Sequence, residues 1–219
     1  MEIKNLFKEY EKVFSGIPHI DSMFCNSGMT NDFAKLDYGF FPLGSGILTE
    51  NSKKDIAKID NCKIMVLGND FGTREYLKNI KNNKEKETSP TIRNLIQNTG
   101  LGLNTETTFF TNLFMGLRSE GKMTGKKKLT TEFKKVCFDF LQIQLKLINP
   151  RIVICLGTEV GQALSEKNEF LDFSFINNIV KTSSPFFGNR TYILIPHPSY
   201  AHINWKKFDT VRKIKSEII

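Results

Sequence analysis

Apolar and polar positions change their rhythm at Cys62, and that change organises the chain. From there, short apolar runs of strand length alternate with segments of helical spacing. Lys63–Leu67 is a compact apolar run and predicts a strand. Arg74–Lys81 and Thr91–Gln97 carry helical spacing, the second stopping near Gly100. Thr107–Thr111 is β-branched and aromatic, which suits a strand. Ser119–Leu129 holds Gly121, Gly125 and four lysines and predicts an exposed loop. The clearest helix runs from Thr130 to Ile148, with Phe133, Val136, Cys137, Phe140, Leu141, Ile143, Gln144, Leu147 and Ile148 marking one side. Thr130-Thr131-Glu132 supplies its start and Asn149-Pro150 its end. Arg151–Leu156 predicts a buried strand, Val160–Leu164 a helix straight after Gly157, Thr191–Ile195 the last strand and Lys206–Ile218 the last helix. Ahead of this alternation, Ile3, Leu6, Phe7, Tyr10, Val13 and Phe14 recur at helical spacing. Gly28, Gly39, Pro42, Gly44 and Gly46 then break the chain into loops, and the cluster Tyr38, Phe40 and Phe41 reads as packing.

Strands alternating with helices imply an α/β fold, a parallel sheet with helices on both faces. Right-handed crossovers bring the C-terminal ends of all such strands to one edge, and ligands bind outside that edge. Four runs end there on small or reactive residues: Leu67-Gly68-Asn69-Asp70-Phe71-Gly72, Phe110-Thr111-Asn112, Leu156-Gly157-Thr158 and Ile195-Pro196-His197-Pro198-Ser199. A carboxylate, an amide and an imidazole would then share one crevice.

Bulk properties change this picture only slightly. The chain has 219 residues, 40% hydrophobic and 25% charged, which fits one large domain with a real core. No apolar stretch reaches the length of a bilayer span, and Met1-Glu2-Ile3-Lys4 does not open a signal peptide, so a cytoplasmic protein is expected. The net charge of +8 favours an anionic partner such as nucleic acid, although lysine-rich coding produces the same excess. Cys25, Cys62, Cys137 and Cys155 form no C-x-x-C pair and read as free thiols.

Each candidate chemical group has two readings. Asp70, flanked by Gly68 and Gly72, can activate water or stabilise a developing cation, or can simply close an Asx turn or cap a helix. Asn112 presents a donor and an acceptor side by side, matching the N3–H and O4 edge of uracil or thymine, or else it ends a strand. His197, one of three histidines, is held between prolines and can donate to an oxygen that gains charge. Gly157-Thr158 can hold an anion at a helix start, or its glycine can serve tight strand–helix packing. Lys126-Lys127-Lys128, Lys206-Lys207, Arg212 and Lys213 are solvated faces in most proteins, and phosphate contacts beside a base-reading crevice.

In this order, Phe110-Thr111-Asn112, Leu129–Leu141 with Glu132 and Cys137, Ile148–Gly157 and His197-Pro198-Ser199-Tyr200 resemble the uracil-DNA glycosylase superfamily. The likeness covers roughly residues 60–215 and is greatest to the bacterial and archaeal branch that carries an iron–sulfur cluster. It implies a three-layer α/β/α sandwich with a four-stranded parallel sheet. It implies hydrolysis of the N-glycosidic bond of uracil, or a related modified pyrimidine, flipped out of DNA. On this resemblance Gly68-Asn69-Asp70-Phe71-Gly72 is the first motif and lines the base pocket, with Asp70 at the water-activating position. Asn112 reads the pyrimidine and His197 bonds O2 of the departing base. Tyr200–Asn204 resembles the minor-groove loop, with Tyr200 and Ile203 as wedges, and Ser199, Lys206 and Lys207 flank it as further DNA contacts, the lysines to phosphate.

Several positions depart from the family. Phe71 stands where proline is frequent. Gly72 replaces the tyrosine that excludes a 5-methyl group, so a 5-substituted base would fit. Ser89, Pro90 and Thr91 lie where a stacking aromatic is expected, and Phe71 would substitute for it. Only Cys137 matches a cluster cysteine, so no iron–sulfur cluster, metal or other cofactor is expected. The sequence therefore predicts a single domain over residues 1–219, with an N-terminal helix and irregular extension over 1–60 and the α/β core over 61–219. It predicts a monomeric, monofunctional DNA glycosylase with no membrane partner. The alternatives are a non-catalytic binder of nucleic acid or nucleotides on the same fold, and an α/β enzyme of small nucleotides with only architectural likeness.

Overall fold

The computed structural model describes residues 4–14, 24–25, 62–72, 101–103, 107–118, 129–167, 179–184, 186–198 and 216. In chain order they form α1 (Lys4–Phe14), β1 (Phe24–Cys25), β2 (Ile64–Gly68), β3 (Thr108–Asn112), β4 (Leu117–Arg118), α2 (Thr131–Ile148), β5 (Ile152–Leu156), α3 (Thr158–Lys167), β6 (Ile179–Ser184) and β7 (Gly188–Ile195). The helices expected over 74–81 and 91–97, all but Ser216 of the one expected over 206–218, and the loop of 119–128 lie outside the described residues. So do Tyr38, Phe40 and Phe41.

The main sheet has the order β3-β2-β5-β7-β6. Its first four strands are parallel, as the alternating pattern predicts. Strands β2, β3 and β5 are buried at every position, the mark of a sheet covered on both faces. Side chains alternate between those faces. Met65, Leu67, Phe109, Val153, Cys155, Tyr192 and Leu194 enter the core cluster beneath α2. Ile64, Val66, Phe110, Ile152, Ile154 and Ile193 are buried on the opposite face.

A fifth strand was not legible. β6 pairs antiparallel with β7, from Ile179 opposite Ile193 to Ser184 opposite Gly188. The run Ile-Val-Lys-Thr-Ser-Ser has too few apolar residues to stand out, and pairing with β7 is what makes it a strand. The same pairing starts β7 at Gly188, three residues ahead of the expected Thr191. Phe186 and Phe187, in the turn between them, pack inward against Phe138 and Tyr192, with ring centroids 6.0 and 5.3 Å apart respectively.

Helix α2 organises the core. The Thr130 hydroxyl caps it by accepting from the Phe133 N–H at 3.3 Å. Asn149 ends it in the left-handed region at φ 48°, its N–H donating to the Leu145 carbonyl. α1 lies outside the strand–helix alternation yet joins the same core, through Leu6, Tyr10 and Phe14 at i, i+4 and i+8. The rings of Tyr10 and Phe14 sit 5.2 and 5.8 Å from Phe140 of α2. Among the described residues no helix is long and apolar enough to cross a membrane.

Arg190 ties the β6–β7 hairpin to the end of α2. Its guanidinium donates to the carbonyl oxygens of Phe187 at 2.7 Å and Leu145 at 2.8 Å, and to Asn149 Oδ1 at 3.1 Å. A cation is favoured there because the last helical carbonyls are electronegative. Gly188, at φ +69°, leaves the room: a Cβ at that position would run into the Arg190 guanidinium.

Gln144 is the polar exception on α2. It is completely buried, and among the described residues neither polar atom of its amide has a hydrogen-bond partner. A buried unpaired amide costs about 1–3 kcal/mol. Gln144→Leu should therefore raise the unfolding free energy by about 1 kcal/mol in urea titration, and a loss of stability of that size would refute the assignment. Arg190→Ala should lower it by about 2 kcal/mol, since the carbonyls it serves lose a charged donor.

Candidate active site

The parallel register places the strand ends in rows. Thr111, Leu67, Cys155 and Leu194 form one row across β3, β2, β5 and β7. One residue further on, Asn112 stands beside Gly68 and Leu156 beside Ile195. Backbone hydrogen bonds continue beyond these ends. Leu113 N–H donates to the Gly68 carbonyl and Phe114 N–H to the Asn69 carbonyl, both at 2.8 Å. Phe71 N–H donates to the Gly116 carbonyl at 3.1 Å, and Gly157 N–H to the Ile195 carbonyl at 2.9 Å. The loops that carry the chemical groups are thereby extensions of the sheet rather than free connections.

Asp70 is half-buried in the first of these loops. Its Oδ1 accepts from the Gly72 N–H at 2.8 Å, closing an Asx turn that puts Gly72 at φ 80°. Its Oδ2 accepts from Asn69 Nδ2 at 3.1 Å. The ordinary reading of Asp70 as a turn residue thus holds, and the turn itself aims the carboxylate. Asn69 Nδ2 also donates to Glu159 Oε2 at 3.1 Å, which links the loop after β2 to the first turn of α3.

Asn112 is only 3% exposed at the end of β3. It alternates with Thr111 and so faces away from the α2 cluster. His197 is half-buried between the buried Pro196 and Pro198. It lies directly against Gly157, where an added Cβ would meet His197 Cβ at 3.3 Å and Cδ2 at 3.8 Å. Gly157 also has φ +87°, a conformation that other residues adopt only with strain. Glycine there serves both the backbone turn and the close approach of the histidine. The sequence offers an anion site or tight strand–helix packing at Gly157, of which the structure shows the close packing, and it gives no sign of Glu159, because a glutamate at a helix start is ordinary.

Asp70, Asn112 and His197 therefore stand along one sheet edge. Three strand gaps, about 14 Å of sheet, separate the row positions of Asn112 and Ile195, with the Asp70 loop between them. Gly68, Asn69 and Gly72 belong to the same edge. Phe71 does not meet its expectation. It is 1% exposed and belongs to the core cluster, so its ring packs inward and it offers the sheet edge backbone rather than an aromatic face. Its N–H is paired with the Gly116 carbonyl beside the Asx turn, and its ring lies in the core. Ser199, Tyr200, Ile203, Lys206 and Lys207 lie outside the described residues, as do Ser89, Pro90, Thr91, Lys126-Lys127-Lys128, Arg212 and Lys213. Cys137, the match to a cluster cysteine, is fully buried, and burial pushes its thiol up to about 12.

Residues 55–218 match the family model of the uracil DNA glycosylase superfamily. The chain belongs to that superfamily. Comparison with curated proteins found no match. The matched span contains all four parallel strands, α2 and α3, and the fold is the α/β fold of the superfamily. It leaves out α1, which packs on the superfamily core from outside the match.

Gly157→Ala should act on this uracil DNA glycosylase-like edge in two ways. Strain at the positive φ should cost about 1–3 kcal/mol in urea titration, and the His197 imidazole signals should shift in carbon–proton NMR spectra. Wild-type stability together with unmoved His197 signals would show that the close approach is unimportant.

Proposed function

We propose that the protein hydrolyses the N-glycosidic bond of uracil, or of a related modified pyrimidine, flipped out of DNA. The observation that supports this reading is that Asp70, Asn112 and His197 all stand at the C-terminal ends of parallel strands of one sheet in a superfamily chain. Cleavage of the bond from the sugar C1′ to the base N1 leaves positive charge on the sugar and negative charge on the base. Water then adds hydroxide to C1′, and its proton goes to the departing base. Asp70, held at both carboxylate oxygens, faces the cationic side of this separation and orients the water. His197, aimed by its flanking prolines and by Gly157, donates to the base oxygen that gains charge. Asn112 pairs with the N3–H and O4 edge and leaves buried groups unpaired when cytosine enters.

Two further features fit DNA as the substrate. The net charge of +8 lowers the cost of approaching phosphates. Gly72 presents no side chain towards a 5-substituent, so substituted pyrimidines fall within the proposed range. Flipping a base costs a few kcal/mol, least for mismatched or single-stranded sites.

The test uses uracil-containing and 5-substituted oligonucleotides, single- and double-stranded, followed by alkali. Wild-type protein should produce strand breaks at the lesion, and Asp70→Ala and His197→Ala should each slow release by about 10²–10⁴-fold. No breakage at any pyrimidine lesion, from pure folded protein, would overturn the proposal. One observation favours a second reading: the inward-packed Phe71 supplies no stacking face next to the first motif. A non-catalytic DNA binder would show salt-dependent binding that Asp70→Asn leaves unchanged, with no base release.

A further inference from the structure

We propose that Glu159 is a positioning residue for Asp70, acting through the side-chain amide of Asn69. The proposal rests on the reading of Asp70 as the carboxylate that orients water. It adds a residue that neither the strand ends nor the family resemblance brought to notice.

The geometry is a two-sided grip on one nitrogen. The Asn69 amide nitrogen carries two hydrogens. It stands 3.1 Å from Asp70 Oδ2 and 3.1 Å from Glu159 Oε2. Ionised carboxylates only accept, so both require the nitrogen side of the amide. A reversed amide would set its carbonyl oxygen against two carboxylates. That chemistry settles which way the amide points. With one acceptor alone, turning the amide would cost a single bond. With two, turning costs both.

Glu159 is well placed to hold that grip. It is the second residue of α3, and a carboxylate in a first helical turn is favoured by the exposed N–H groups there. The start of α3 is anchored in turn by Gly157, whose N–H donates to the Ile195 carbonyl of β7. The hydrogen bond from Asn69 to Glu159 therefore spans the middle of the edge. It sets the β2 loop, with Asp70, against the β5–β7 side, with His197. Glu159 is itself solvent-exposed, so its removal opens no hole in the core.

The experiment compares full-length wild type with Glu159→Ala, Glu159→Gln, Asn69→Ala and the double variant Asn69→Ala with Glu159→Ala. On a uracil-containing oligonucleotide, Glu159→Ala should lower kcat by about three- to tenfold, with KM changed by less than about twofold. Glu159→Gln should restore kcat to within about twofold, because its amide oxygen still accepts from Asn69. The double variant should be no slower than Asn69→Ala, since Glu159 reaches Asp70 only through the Asn69 amide. A purely structural role would lower the Tm and would not be rescued by glutamine. Independently of activity, the side-chain NH₂ signals of Asn69 in nitrogen–proton NMR spectra should shift or broaden in Glu159→Ala and return in Glu159→Gln. Wild-type kcat in Glu159→Ala, multiplicative losses in the double variant, or unmoved Asn69 signals would each overturn the proposal. Should wild type release no base from any lesion, the proposed function falls, while the Asn69 signals still decide whether Glu159 positions the amide.

Discussion

Hydrogen bonds that continue the parallel ladder past the ends of the strands hold the candidate site together. A strand end normally releases its chain into a loop with its own freedom. Here the Gly68 and Asn69 carbonyls accept from Leu113 and Phe114, and the Ile195 carbonyl accepts from Gly157. Each bond ties the residue after one strand to its neighbour, so the loops inherit the strand spacing. The separation of Asn112, Asp70 and His197 along the edge is then set by the sheet and not by loop length. Catalysis by oriented groups needs that kind of fixity, because a displacement of even an ångström is expensive in rate.

The rigidity beneath the edge has a different origin. Helix α2 buries Phe133, Cys137, Phe140, Leu141, Leu145 and Ile148 on one side of the sheet. α1 covers part of it with rings that meet Phe140 at an angle, and the hairpin turn adds Phe186 and Phe187. Burial on this scale shifts the titrating groups inside it. The Cys62 thiol is pushed up to about 11, and the Tyr10 and Tyr192 hydroxyls are raised as well, because each charged form would lose water. These groups stay neutral at ordinary pH and act as packing. The polar chemistry is left to the edge, where Asp70, Asn69 and His197 are only half-buried.

Much of this was legible along the chain. A continuous apolar run of five residues needs cover on both faces, so β2, β5 and the body of β7 announced themselves. The spacing of Phe133, Cys137, Phe140 and Gln144 announced α2, with Thr130 and Asn149 at its ends. Asp70, Asn112 and His197 stood out because each lies just past the end of a predicted strand. β6 was not legible, since a polar edge strand exists only by pairing with β7. The inward packing of Phe71 was not legible either, because which way a residue just past a strand end faces depends on the pairing of the loop with its neighbour.

The order of apolar runs and helical faces thus determined by itself that the chain folds as a parallel α/β sheet, and which residues stand at its C-terminal edge. Both follow from local periodicity, which the burial of each element enforces one segment at a time. Only the tertiary structure decided which groups touch across that edge. The approach of Gly157 to His197, and the grip of Asp70 and Glu159 on one Asn69 amide, join residues 40 and 90 positions apart. Such contacts depend on strand order and register, which no local pattern carries.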